Sequence, residues 1–141
     1  MNIHIDTSDV MDKLGKISEN LTAGLHIALE RAGEVVRKDA VLNCASQNIA
    51  DTGHLMGSIE STVEGNSAII GPTVDYGAYV EFGTGAQGDK SVAHTTRKSW
   101  TYYSGGKFYT TSGQPPRPFL IPALKNNKDT IIRLIRQAVM R

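Results

Sequence analysis

The residues of this 141-residue chain best placed to do chemistry are a glycine-rich string, four histidines, one cysteine and a basic, aromatic stretch. Gly83-Thr84-Gly85-Ala86-Gln87-Gly88 fits the G-x-G-x-x-G pattern of dinucleotide sites. That chemistry also needs a helix directly afterwards, to hold the pyrophosphate, and an acid about 20 residues on for the ribose. Neither follows. Asp89 to Ser99 carries no helical apolar stripe, and no Asp or Glu occurs between Lys90 and Lys128. Gly88-Asp89-Lys90-Ser91 is likewise one residue out of register for a phosphate-binding P-loop. A mobile glycine-rich loop leaving a strand accounts for the string without a nucleotide.

His4, His26, His54 and His94 share none of the short spacings of a metal site, and Cys44 has no second thiol. No flanking signature pairs Cys44 or a serine with a histidine for nucleophilic catalysis. Near a helix end, Cys44 reads as a small buried hydrophobe. Glu81 offers a carboxylate for general-base work, but Phe82 and the glycines beside it supply no partner. These residues make no case for an enzyme, a metal or a cofactor.

Arg97, Lys98, Trp100, Tyr102, Tyr103, Lys107, Phe108 and Tyr109, with Arg117 further on, mix charge and rings as nucleic-acid sites do. No base-reading motif accompanies them, so a DNA contact here is to the backbone and sequence-neutral. Two other readings stand beside that one: a hairpin with one face in the core, and an arm reaching a neighbouring subunit.

Charge supports both kinds of partner. Lys plus Arg number 15 and Asp plus Glu 14, a net +1 that hides an asymmetry. Up to Asp89 there are 13 acidic and 5 basic residues, a balance of −8; from Lys90 onward 10 basic and 1 acidic give +9. Such polarity suits phosphate binding through counterion release. It equally suits identical subunits meeting head to tail through opposite charges. A solvated basic surface without a partner is the plainest alternative.

Positioning falls to a long helix and a set of antiparallel strands. Residues 9–45 repeat apolar side chains at spacings of three and four: Val10, Leu14, Ile17, Leu21, Leu25, Ala28, Ala32, Val35, Val36 and Leu42. Ser8 or Asp9 can cap its start. Unbroken, that helix measures about 55 Å at 1.5 Å per residue, too long for a compact chain of this size. A break at Gly24 or Gly33, or a partner surface, is expected. Asp51-Thr52-Gly53 signals a turn. Strands are expected over Ser58–Glu64 and Ser67–Gly71, joined through Gly65-Asn66, and over Tyr76–Phe82. Trp100–Thr111 reads as an aromatic hairpin turning at Ser104-Gly105-Gly106-Lys107. Pro115-Pro116-Arg117-Pro118 forces an extended segment, and Pro122 opens a closing helix whose stripe is Leu124, Ile131, Ile132, Leu134, Ile135, Ala138 and Val139. Long helix, three to five antiparallel strands and short helix make an α+β fold, expected as one domain over residues 1–141. No apolar run suits a membrane span, and the acidic start Met1–Asp12 does not suit a signal peptide.

Four pieces in order carry a resemblance: Gly53, Leu55 and Ser58; Tyr76, Tyr79, Glu81, Phe82, Gly83, Thr84 and Gly85; Pro118 and Phe119; Pro122 and Ala123. Together they resemble the tail-component family of tailed bacteriophages, whose members are called neck or tail-completion proteins. The resemblance runs from about residue 9 to the end, with His54 where relatives often carry Arg. It implies a structural virion protein of the head–tail junction, made in the host cytoplasm, without enzymatic activity or cofactor. It implies a homo-oligomeric ring, hexameric or dodecameric, around the DNA channel. Its partners would be adjacent neck, head-closure, tail-terminator or tail-tube proteins, with sequence-neutral contact to phage DNA and no membrane. A tail-terminator ring capping the tube uses the same physics, and a small nucleic-acid-binding protein is the alternative of another class.

Overall fold

The computed structural model describes residues 1–14, 19–47, 52–92 and 97–139. Gly15, Ile17, Asp51 and His94 lie outside these described residues. The chain divides into two compact units, one formed by Met1–Val74 with Phe119–Arg141 and the other by Asp75–Pro118.

The first unit is built on its long helix. Strand β1 (Ile3–Asp6) leads into α1 (Ser8–Leu14), and α2 follows over Glu19–Ser46. Along α2, Leu25, Ala28, Leu29, Ala32, Val36, Ala40 and Cys44 are buried, a row of spacings near 3.6 that keeps one face dry. Cys44 has no exposed surface, as its reading as a small hydrophobe requires. Leu42 departs from the expected stripe, 64% exposed on the far side of the helix. Both expected break points, Gly24 and Gly33, sit inside unbroken α2. Gly33 is there for space instead. A Cβ on it would run into the Ser61 hydroxyl, so the missing side chain lets the helix lie close to the sheet.

Helix α3 (Thr52–Ser58) leads directly into β2 (Ile59–Glu64), and β3 (Ser67–Pro72) returns antiparallel to it. The turn expected at Asp51-Thr52-Gly53 is thus replaced, from Thr52 on, by a helix. Leu55 anchors that helix, fully buried, while the Ser58 hydroxyl donates to the Leu55 carbonyl at 2.8 Å. Gly65 supplies the positive φ (57°) of the β2–β3 turn.

Strand β1 pairs with the other edge of β3, giving the order β1-β3-β2. The register places Ile3, Ile70 and Ser61 in one row and Ile5, Ala68 and Val63 in the next. Ile5, Ala68 and Ile70 in these rows are buried, and the sheet packs on α2. On the opposite face lie Asp6, Ser67 and Glu64, then His4, Ile69 and Thr62, then Glu60. Thr7 pins the entry to α1: its amide and hydroxyl both donate to the Asn66 carbonyl, at 2.8 and 2.9 Å. The cap of α1 comes from Asp6 rather than from Ser8 or Asp9. Its Oδ1 accepts from the Ser8 amide at 2.9 Å and the Ser8 hydroxyl at 2.6 Å.

The closing helix is two helices, α5 (Leu120–Asn126) and α6 (Lys128–Val139). Pro122 stands third in α5 rather than first. The start moves back because Phe119, Leu120 and Ala123 are the buried anchors, each with no exposed surface. Pro122 remains in the first turn, where its missing N–H is no loss. Asn43 Nδ2 donates to the Phe119 carbonyl at 3.0 Å, and Asn127 Nδ2 bridges Asp39 Oδ2 at 2.5 Å and the Ala123 carbonyl at 2.7 Å. In α6, Ile131 is buried, whereas Ile132 is 43% exposed.

The second unit holds α4 (Gly77–Phe82) and the hairpin β4 (Trp100–Ser104) and β5 (Lys107–Thr111). The strand expected over Tyr76–Phe82 is therefore a helix. Its buried residues, Gly77, Val80 and Glu81, lie at i, i+3 and i+4, one helical face. The hairpin and its turn fall where the sequence places them, with Trp100 opposite Thr111 and Ser104 opposite Lys107. An α+β fold with antiparallel sheets is what the sequence predicts and what forms.

Candidate functional site

The second unit concentrates the residues that sequence reasoning singled out. Its glycine string is a backbone junction. Gly83 adopts φ 73°, ψ −178°, a conformation essentially closed to other residues. Any Cβ there would come within 2.6 Å of the Gln114 carbonyl and 2.7 Å of the Pro116 nitrogen. Thr84 and Gln114 exchange backbone hydrogen bonds, at 2.9 and 3.3 Å, as an isolated antiparallel bridge. Gly85, with φ 67°, gives room to the Trp100 ring, whose Cζ3 would stand 2.8 Å from an added Cβ. Gly113 has φ 81° and faces the Thr84 carbonyl.

After Gly85 comes a single 3-10 turn, Gly85–Gln87, in place of the helix that a dinucleotide site requires. The Asp89 amide donates to the Phe82 carbonyl at 2.7 Å and the Ala86 amide to the Arg97 carbonyl at 3.1 Å. The glycine-rich segment is thus fastened through its described part, Gly83–Val92, rather than hanging free of the fold.

A cleft of about 1030 Å³ opens within this unit, lined chiefly by Tyr76, Tyr79, Phe82, Val92, Trp100 and Tyr102. Its other lining residues are glycines, Ala78, Thr84, Thr111 and Gln114, so among the described residues it carries ring faces and hydroxyls rather than carboxylate, imidazole or thiol groups. Such a lining suits stacking, and among the described residues it has no carboxylate–imidazole pair for acid–base work. Glu81, a carboxylate nearby in sequence, is 2% exposed on the inner face of α4, closed off from a substrate. Among the described residues no group of three His, Cys, Asp or Glu could hold a metal ion, and no helix is long and apolar enough to cross a membrane.

The hairpin stands out by exposure on both faces. Every residue from Thr101 to Thr110 is exposed, so neither face serves as core. Tyr102 stacks on Tyr109 with centroids 5.7 Å apart on one face, and Tyr103 meets Phe108 edge-on at 5.1 Å on the other. Such cross-strand ring pairs stabilise a ribbon by about 0.5–1.5 kcal/mol each. Phe108 remains 76% exposed and Tyr103 64%.

The basic residues spread along this ribbon rather than forming one point. Arg97 and Lys98 are exposed just before β4, and Lys107 is exposed at the turn. At about 3.4 Å per residue, Lys107 stands roughly 14 Å along the hairpin from Trp100. Trp100 itself is half-buried against Gly85. Arg117 is half-buried, its amide donating to the Val80 carbonyl at 2.8 Å.

The residues that carry the family resemblance have structural work in both units. Leu55 and Ser58 build the α3–β2 junction, and Phe119 and Ala123 seat α5. Gly83, Thr84 and Gly85 form the backbone bridge. His54 is exposed on α3, and Gly53 has open space around it. Among the motif residues, Tyr79 is 58% exposed at the cleft.

No curated protein and no solved structure matches the chain. A family profile does: the one described as "Bacteriophage HK97-gp10, putative tail-component" matches residues 8–83. That span takes in α1 to α4 and stops at the first glycine of the bridge, leaving Pro118–Ala123 beyond it. With more than half of its length matched, the chain belongs to the HK97-gp10 family of bacteriophage tail components.

Proposed function

We propose that this tail component is a neck or tail-completion protein, a ring-forming structural protein that joins tail to head around the DNA channel. The single observation that carries the reading is the family match over residues 8–83. The geometry supports it. Gly83, Thr84 and Gly85 of the motif close the backbone, and the cleft of the second unit offers, among the described residues, rings and hydroxyls. A protein built this way acts by contact, with neighbouring copies and with adjacent neck or tail-tube rings, and turns over no substrate. A tail-terminator ring uses the same surfaces at a different level of the tail. The exposed rings and lysines of the hairpin favour one reading of another class, sequence-neutral nucleic-acid binding, which predicts DNA affinity that collapses as salt is added.

The deciding experiment is electron microscopy of lysates from a phage lacking this gene. The expected result is full heads beside complete, unattached tails. Normal, infectious particles would overturn the reading.

A further inference from the structure

Resting on the ring reading, we propose that the β4–β5 hairpin of one copy docks on the solvent face of the β1-β3-β2 sheet of the next copy, its lysines meeting that face's carboxylates. A two-stranded ribbon is marginal in water unless something covers it. This one displays a ring pair on each face and has no residue from Thr101 to Thr110 buried. Lys107 is exposed at its turn and Lys98 just before β4, and among the described residues neither has an ion-pair partner within 4.0 Å.

The sheet of the first unit supplies the complementary surface. Its face away from α2 has half-buried Ile69 at the centre, in a row with His4 and Thr62. Around that apolar centre stand Asp6, Glu60 and Glu64, all exposed, none with an ion-pair partner among the described residues. Asp6 and Glu64 share a row through Ser67, two strand spacings or roughly 10 Å apart. An aromatic ribbon bearing lysines thus matches an apolar centre edged with carboxylates. DNA would accept the same lysines but has no use for the acidic face, and would be repelled by it. Because hairpin and sheet are different surfaces, their contact is head to tail and closes into a ring when the rotation allows.

Two charge-reversed proteins test the inference. One carries Lys98→Glu and Lys107→Glu, the other Glu60→Lys and Glu64→Lys; all four positions are exposed, so both should unfold as the wild type does. In each protein alone like charges face each other across the contact. In an equal mixture every hairpin finds an oppositely charged sheet. Analytical ultracentrifugation should show a loss of about tenfold or more in self-association for each alone, and recovery of the wild-type assembly in the mixture. Variants that assemble alone as the wild type does would overturn the proposed contact and leave the ring reading standing. Failure of the mixture to recover would also overturn it. If that failure came with lost retention of the lysine variant on DNA-cellulose, the hairpin would instead be a nucleic-acid surface. A wild-type protein that never self-associates, free or in particles, would overturn the ring reading and the contact together.

Discussion

The two units of the chain keep their shape by different means. The first buries side chains: one face of α2 lies on the sheet and on the closing helices, with Leu29, Val36, Leu55, Ile70 and Phe119 almost without exposed surface. The second is held largely through its backbone, by glycines at positive φ, the Thr84–Gln114 bridge and the Phe82–Asp89 hydrogen bond. Its hairpin keeps most of its rings outside. Burial of aromatic surface is the usual source of stability, so rings left in water add little beyond their cross-strand pairs. Buried and exposed rings thus contribute differently to stability, and substitutions should divide accordingly.

The sharpest division is between two phenylalanines. Phe119→Ala removes a fully buried ring and should cost about 3–5 kcal/mol in urea unfolding. Phe108→Ala, at a ring 76% exposed, should cost only its edge-on pair with Tyr103, about 0.5–1.5 kcal/mol in the same measurement. Equal losses at the two positions would break the comparison.

The next largest effect lies in the backbone of the second unit. Gly83→Ala forces a side chain into a glycine-only conformation and against the Gln114 carbonyl, at a cost of order 1–3 kcal/mol. Hydrogen exchange should show the amides of Thr84 and Gln114 losing protection while those of α2 keep theirs.

Two glycines of α2 then sharpen the account of the first unit. Gly24 has open space where a Cβ would go, so Gly24→Ala should stabilise by up to about 1 kcal/mol through helix propensity alone. Gly33→Ala meets the Ser61 hydroxyl and should destabilise by about 1 kcal/mol. In a Ser61→Ala background the same change should become stabilising, a coupling that a double-mutant cycle reads directly.

The smallest effect is electrostatic. Hydrogen bonds from the Ser8 hydroxyl and amide hold the Asp6 carboxyl below its ordinary value. A lowered folded pKa stabilises the fold above the unfolded value, about 3.9, and that contribution disappears as pH falls through the folded one. Asp6→Ala should therefore flatten the acid limb of the stability profile below about pH 4. An unchanged limb would show that the cap has no part in it.

These contrasts also explain what was legible beforehand. The dry face of α2 and both hairpins were readable because their periods run long enough to separate 3.6 from 2, and because Gly65-Asn66 and Gly105-Gly106 mark the turns. Tyr76–Phe82 was not. Over seven residues the same apolar positions fit a strand or two helical turns, and only the burial of Gly77, Val80 and Glu81 decides between them. Strand β1 was missed because Ile3-His4-Ile5-Asp6 shows a single alternation and depends on β3 for its hydrogen bonds. Gly33 looked like a break because sequence cannot show Ser61 lying over it. At the candidate site, the basic and aromatic residue types were visible in advance. Their exposure on both faces of the ribbon was not, since an alternating hairpin ordinarily buries one of them.

The most direct test of this division is complementation of the gene-deleted phage with a Tyr103→Ala/Phe108→Ala protein whose unfolding midpoint has been measured. The account predicts a midpoint lowered only by the loss of that ring pair, together with a large loss of joined, infectious particles. Full complementation by that stable double variant would contradict it.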